Sequence, residues 1–433
     1  MNKILNLLFL LVFITSCSFH KNSKFWNKEK IIIEQNTIDK KISKNEKIIN
    51  LELNANLKIN LKENSINNSF INNLSNNNGR INYKGVLENK QKYKFSKIKN
   101  FDQYEPKIIF YENNIIFFDN KGSILNFDNK SNLLWKKNYY LKSEKKINPI
   151  LFFANNNNFL IVADSISKLY ALDINTGELL WSKRNNAPFN SQIKIYKDKF
   201  YVIDFENTLR SYSIESGEEE WSVVTKKSLV RSQKKLSIVI KEDKIFFNNS
   251  LGLITSVDIN TGQLLWQIPT EKSIVYDESF FLKTSELIGN DNALFFSNNK
   301  NNFFSLDMES GYINWQQKIN SSLRPTIVGD HLFTISENGY LFVVEKKTGN
   351  IIRISDVFGK FKKKLRKKIH PTGFIVGKNS IYLTTSHGRL LEIDTISGKN
   401  QSILKIDKNK ISRPSILNQD MFIITDNSII RLN

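Results

Sequence analysis

The sequence predicts an all-β fold, an eight-bladed β-propeller of four-stranded antiparallel blades, and three observations predict it. A hairpin unit recurs through most of the 433 residues. Each copy has room for four short strands with tight turns, which fits radial blades better than a sandwich or a solenoid. The last copy stops one strand short, so a strand from elsewhere must close the ring. The unit is clearest in LYALDINTGELLW, residues 169–181: an alternating strand, a turn built by Asp173, Asn175, Thr176 and Gly177, and a second strand ending on Trp181.

The chain opens with Lys3, an apolar run ILNLLFLLVFI over residues 4–14, and then Thr15, Ser16 and Cys17. The run is too short for a stable spanning helix and sits where an export signal sits. Its end resembles a bacterial lipobox, which implies a signal peptide over 1–16 and acylation of Cys17 with anchoring in membrane lipid. By the sorting rules of such lipoproteins, Ser18 after the cysteine implies the outer membrane, facing the periplasm. Cys17 is the single cysteine, so no intramolecular disulfide or cysteine metal cluster forms. Residues 17–78 are polar, rich in Asn and Lys and without a sustained period. They read as a flexible tether with a span on the order of 40 Å. The cluster Asn76-Asn77-Asn78-Gly79 marks its end, and the propeller is expected over 79–433.

Eight strongly apolar strands then follow at blade spacing, among them FLIVAD from Phe159, LFFSN from Leu294 and MFIIT from Met421. Several are preceded by a short apolar run that opens on a proline, at Pro106, Pro149, Pro325, Pro371 and Pro414. Proline is tolerated at a strand's first residue. The turn glycines Gly177, Gly217, Gly262, Gly311, Gly349 and Gly398 are separated by 40, 45, 49, 38 and 49 residues, with Ser131 in the corresponding place of the first copy. Asp128, Asp173, Asp258, Asp307 and Asp394 precede these turns, where a short carboxylate accepts backbone N–H bonds and the glycine takes positive φ. Four residues beyond the glycine, or beyond Ser131, stand Trp135, Trp181, Trp221, Trp266 and Trp315, replaced in copies six and seven by Arg353 and Ser402. The eighth copy, 413–432, has three strands; the alternating segment YKFSKI, 93–98, is expected to pair with it and remove the open edge.

ALDINTGELLW at 171–181 and SVDINTGQLLW at 256–266 resemble the tryptophan-docking repeats of quinoprotein-type propellers. In those repeats the indole packs between neighbouring blades and its N–H finds a backbone acceptor, as a buried Trp requires. Two families share the repeat: the quinone-dependent dehydrogenases, and BamB, a non-catalytic lipoprotein of the machinery that inserts β-barrels into the outer membrane (the BAM complex). The lipobox, the single propeller and the degenerate last repeats resemble BamB over residues 79–433. The resemblance implies a monomeric subunit within a hetero-complex, with BamA and other BAM subunits as partners and no cofactor. It further implies a docking loop at Leu229, Val230 and Arg231, and an acidic loop for which Asp277, Glu278 and Glu286 are available. A routine connector with a solvated Arg is the other reading of 229–231.

The dehydrogenase alternative would need oxygen ligands for a divalent cation, a catalytic carboxylate and, in many members, paired cysteines. The turn aspartates are explained by capping, and no DxDxDG cluster, G-x-S-x-G, P-loop or H-E-x-x-H stands out. His20, His331, His370 and His387 are dispersed, and His331 and His387 are expected on hairpin surfaces. A periplasmic ligand-binding propeller is a third possibility. The formal charge is +21 with 63 Lys and Arg, but Lys, Asn and Ile are used everywhere, and an exported chain does not meet nucleic acid. The strongest local charge feature is GKFKKKLRKKIH, 359–370, expected as an extended loop, solvated or facing lipid head groups or an acidic partner.

Overall fold

The computed structural model describes residues 59–61, 66–69, 73–85, 87–99, 101–103, 106–226, 232, 234–271 and 282–433. All belong to one compact unit, Asn50–Asn433. The signal peptide and Cys17 lie outside the described residues.

The described chain forms eight separate four-stranded antiparallel sheets, arranged as the blades of a propeller. Blades 1 to 7 are consecutive meanders over 109–137, 151–184, 194–224, 238–269, 288–317, 326–356 and 371–405. Blade 8 combines Ser415–Leu417, Asp420–Ile424 and Ser428–Leu432 with the N-terminal strand Lys90–Lys94. The proline-led runs of the sequence become the short innermost strands, such as Thr326–Val328 after Pro325. The second and third strands of each blade are apolar on both faces because both are covered by neighbouring blades; Phe159–Asp164 has a single residue short of full burial. The outermost strands alternate with solvent, as in Leu179–Arg184, where Leu179 and Leu180 remain exposed. Core clusters therefore sit between blades: Ile161, Ala163 and Leu169 of blade 2 pack with Phe200, Val202 and Ile214 of blade 3.

In the closing pair, Lys90 lies opposite Leu432 and Lys94 opposite Ser428. The ladder thus begins three residues earlier than the 93–98 stretch read from the sequence. That stretch continues the contact through single bonds, Phe95 N–H to the Asn427 carbonyl (3.1 Å) and Ile98 N–H to the Asp426 carbonyl (2.7 Å). Tyr93 points inward, completely buried, with ring centroids 5.8 Å from Phe127 and 6.2 Å from Phe422. The exposed Lys90, Lys92 and Lys94 hide the period in a lysine-rich stretch.

The boundary between tether and ring also differs from the compositional one at residue 78. Residues 66–69 and 73–85 run along the central channel against the inner strands. Ser69 N–H donates to the Ile416 carbonyl of blade 8, and Ile81 N–H to the Val376 carbonyl of blade 7. In turn, the carbonyls of Leu74 and Ser75 accept from Ile240 of blade 4 and Gly289 of blade 5. Asn76, only 2% exposed, aims its Nδ2 at the carbonyls of Ile238 and Leu287, both at 2.9 Å. Asparagines that look like linker composition are here hydrogen-bonding groups for strand ends that would otherwise lack partners.

Candidate functional site

Trp135, Trp181, Trp221, Trp266 and Trp315 all occupy outermost strands, and each covers the turn glycine of the next blade. A Cβ placed on Gly177, Gly217, Gly262, Gly311 or Gly349 would lie 2.6–2.8 Å from the preceding blade's indole. The glycine is therefore needed both for its positive φ and for the ring seated on it. Trp181, Trp266 and Trp315 donate their indole N–H to the carbonyls of Ile214 (2.8 Å), Met308 (3.0 Å) and Lys346 (3.0 Å). The indole nitrogens of Trp135 and Trp221 find no acceptor among the described residues. The turn carboxylates cap as their spacing implies: Asp173 Oδ1 accepts from Thr176 N–H at 2.7 Å and from Asn175 N–H at 3.0 Å. Backbone bonds of this kind, led by Thr176, hold Asp173 below the usual carboxylate range.

Leu229, Val230, Arg231, Asp277 and Glu278 lie outside the described residues. Their place in the chain is in the connections that lead from blade 3 into blade 4 and from blade 4 into blade 5. Glu286, the third acid considered for the acidic loop, is not a surface group. It is buried, with Lys107 at 2.9 Å and Arg324 at 3.2 Å from its carboxylate oxygens. His331 is likewise buried within its strand, not on a hairpin surface, and lies between Val328 and Glu345 of the adjoining strands. His387 is bonded through Nδ1 to Ser386 Oγ at 3.1 Å.

On the face that carries the blade-to-blade connections, the channel opens into a funnel of about 980 Å³. Among the described residues, its lining charges are Lys107, Lys194, Lys234, Lys235, Lys283, Lys368 and Lys410 with Asp102 and Glu337. Below it lies a recess of about 60 Å³, walled among the described residues by Lys107, Arg324, Lys410 and Arg413 with one acid, Glu286, and with Ser69 and Asn78 from the channel segment. Arg413 donates to Thr326 Oγ1 at 3.2 Å, and its guanidinium carbon stands 5.3 Å from the centre of the Phe374 ring. At the funnel wall Lys194, 1% exposed, donates to Asn76 Oδ1 at 2.6 Å and to the Asn73 carbonyl. Burial, with repulsion from Arg324 and Lys235, lowers the Lys194 ammonium to about 7. Burial alone would raise Glu286, but Lys107, Arg324 and Lys235 outweigh it and hold the carboxylate well below its usual range.

The basic segment 359–370 is only partly the extended loop expected. It contains a short helix, Lys363–Arg366, whose Leu365, with Phe361 and Ile369 on either side of the helix, packs on the core between blades 6 and 7. Arg366 pairs with Asp356 at 2.7 Å, while Lys362, Lys363, Lys364 and Lys367 stay exposed. Sequence reasoning missed the channel cations, yet a signal exists. Lys107, Arg324 and Arg413 each adjoin one of the prolines that open an inner strand.

The family model described as outer membrane protein assembly factor BamB matches residues 120–355, more than half of the chain. The chain belongs to the BamB family. No curated protein matches it in sequence. Among solved structures, this BamB-family ring is similar to the crystal structure of BamB from Moraxella catarrhalis: 16% identity, TM-score 0.64, 79% of this chain and 100% of that one covered. It is similar in fold to the computationally designed Ika8 protein, at 12% identity and TM-score 0.59, with 78% and 99% covered. The quinohemoprotein alcohol dehydrogenase from Comamonas testosteroni shares the fold at 10% identity and TM-score 0.57, with 80% of this chain and 76% of that one covered.

The cation of a quinoprotein does not fit this BamB-family channel. Among the described residues there is no group of three or more His, Cys, Asp or Glu that could hold a metal ion. At the base of the channel Glu286, the one acid among the described residues that wall the recess, lies with Lys107, Arg324, Lys410 and Arg413, a set of side chains that does not supply the several oxygen ligands a divalent cation needs.

Proposed function

We propose that the chain is a non-catalytic scaffold lipoprotein of the outer-membrane β-barrel assembly machinery, docking on BamA and assisting barrel folding and insertion. The observation that carries the reading is the BamB family match over residues 120–355 on a complete ring of eight blades. In this reading residues 1–16 are a cleaved signal peptide and acylated Cys17 anchors the protein in outer-membrane lipid at the periplasmic face. The ring serves as a rigid platform, its sites being in connections between blades and not in the repeat itself.

Leu229, Val230 and Arg231, with Asp277 and Glu278 in the next blade connection, are the proposed contacts with BamA. An Arg beside apolar side chains is the composition of an interface hot spot. The test is capture of BamA from detergent extracts by the tagged protein. Arg231→Glu is expected to weaken capture at least tenfold without moving the melting temperature, and unchanged capture would remove the loop from the interface. Replacing Cys17 by Ser is expected to release the protein from membranes into the soluble periplasmic fraction.

A further inference from the structure

The two described α-helices both lie in connections between blades, and both carry lysines that the fold does not use. Lys142–Ile147 leads from blade 1 to blade 2, and Lys363–Arg366 from blade 6 to blade 7. Strands alternate in direction within a blade, so the two connections emerge on the same face of the ring, three blade positions apart. Both connections are described throughout. Lys142–Ile147 is pinned from beneath: buried Glu144 accepts from Leu141 N–H at 2.8 Å and pairs with Lys168 at 3.3 Å and with Arg184. At its end Asn148 Oδ1 accepts from Asn120 Nδ2 at 2.8 Å. Those contacts are directed into the ring, and Lys142 and Lys146 stay exposed together with Leu141 (69%) and Ile147 (63%). Phe361, Leu365 and Ile369 pin the second helix through apolar packing. Lys362, Lys363, Lys364 and Lys367 are left exposed on a stretch with no acid between Asp356 and Glu392.

From this arrangement we infer that the connection face docks on the surface of an anionic phospholipid bilayer. The lysines of the two helices meet head-group phosphates, and Leu141 and Ile147 enter the head-group layer. Apolar side chains flanking lysines on a surface helix suit such a boundary, where the chains enter and the ammonium groups stay at the phosphates. The composition favours lipid over an acidic protein. Protein interfaces are depleted in lysine and rely on Arg and aromatic anchors, whereas lysines near a charged bilayer act as point charges without fixed geometry. Two clusters well separated on one face also fit a counterpart that is flat and extended. By itself such a contact is weak and falls with salt. In the lipid-anchored reading, acylated Cys17 keeps the ring within reach of the bilayer, so a weak contact suffices to orient it. That cellular role rests on the anchored reading; binding to vesicles does not.

The test sediments the mature chain, 17–433, carrying Cys17→Ser, with phosphatidylcholine vesicles that contain or lack phosphatidylglycerol, at low ionic strength. No acyl group can then carry the binding, and the compact unit from Asn50 onward is intact. Cosedimentation is expected only with phosphatidylglycerol and is expected to be lost in high salt. Lys363→Gln, Lys364→Gln and Lys367→Gln together, or Lys142→Gln with Lys146→Gln, should each weaken it about threefold or more, and all five about tenfold or more. Leu141→Ser with Ile147→Ser should weaken it with the charge unchanged. Lys347→Gln, Lys378→Gln and Lys399→Gln, in exposed turns of the opposite face, should leave it as it is. Absence of cosedimentation overturns the inference. So does equal weakening by the three turn lysines, which would indicate diffuse attraction, or binding that survives all five helix substitutions, which would place it in the lysine-rich residues 17–78. Retention on polyglutamate but not on vesicles, abolished by the same five substitutions, would assign the face to an acidic protein and overturn the inference too. Capture of BamA is a separate measurement, and a failure here leaves it unaffected.

Discussion

Trp181 of blade 2 donates its indole N–H to the Ile214 carbonyl of blade 3 at 2.8 Å, and its ring lies over Gly217 so closely that a Cβ there would be 2.6 Å away. One residue pair thus joins two blades by a hydrogen bond and by a fit that tolerates no side chain. Because the same relation recurs from Trp135 to Gly177 through Trp315 to Gly349, rigidity of the ring is distributed over successive seams.

Substitution at this seam gives the first expectation. Trp181→Phe keeps much of the apolar contact but removes the donor and strands the Ile214 carbonyl, for a loss of about 1–2 kcal/mol. Trp181→Ala adds a cavity and is expected to cost roughly 3–5 kcal/mol. Gly217→Ala meets both a positive φ of 68° and the indole, so it should exceed the 1–2 kcal/mol or so of a left-handed alanine alone. Denaturant unfolding of the three variants checks the order; a Gly217→Ala as stable as wild type would contradict the seam geometry.

Closure of the ring gives a second. Tyr93 is fully buried between Phe127 and Phe422, and its hydroxyl donates to the Asn129 carbonyl at 3.2 Å. Tyr93→Ala is expected to cost about 3–5 kcal/mol by analogy with other large aromatic truncations. Deleting residues 87–98 exposes the edge of Ser428–Leu432 along five paired residues and should produce aggregates by size-exclusion chromatography. A monomeric deletion variant melting at the wild-type temperature would refute closure by this strand.

The turns supply a third expectation, in acid. Backbone bonds from Thr176 and Thr261 hold Asp173 and Asp258 below the usual carboxylate range. A carboxylate whose folded value is depressed stabilises the fold at pH values above its unfolded value, and that contribution is lost as pH falls through the folded value. Asp173→Asn with Asp258→Asn should therefore melt lower than wild type at pH 6, with the gap closing toward pH 3. A gap of the same size at both pH values would show that charge at these turns is immaterial.

The fold was legible because propeller repeats write themselves into sequence: Asp, Gly and Trp recur at fixed offsets, and the missing fourth strand of blade 8 demanded a donor. The register of that donor was less legible, since Lys90, Lys92 and Lys94 alternate with Gln91 and Tyr93 in a stretch whose composition resembles the tether. The channel was hidden for a different reason. Lys107, Glu286, Arg324 and Arg413 come from four blades, and no local pattern reports that a radial fold brings them together. Their neighbouring prolines marked the inner strands, but only closure of the ring makes inner mean shared. Asn76, in the cluster that marks the end of the tether, hid its role as well, because an asparagine in a polar run reads as solvated until its acceptors, in blades far along the chain, are known.

Lys194 ties that hidden channel to pH. Its folded value of about 7 lies far below the usual 10.5 of lysine. Between those two values the unfolded chain holds a proton that the folded chain has released, so stability rises with pH across that window, by up to about 1.4 kcal/mol for each pH unit. Below about pH 7 the burial penalty of the charged form is fully present. Lys194→Met removes this titration while leaving Asn76 Oδ1 without the donor at 2.6 Å. The variant is therefore expected to lack the rise, so that the wild-type melting temperature gains on it steadily from pH 7 to pH 9.5. Asn76→Ala, which loosens the channel segment but keeps the lysine, should bring the Lys194 value back up and shrink the same rise. Parallel melting curves for wild type and Lys194→Met over that range would show that this ammonium titrates as an ordinary surface lysine.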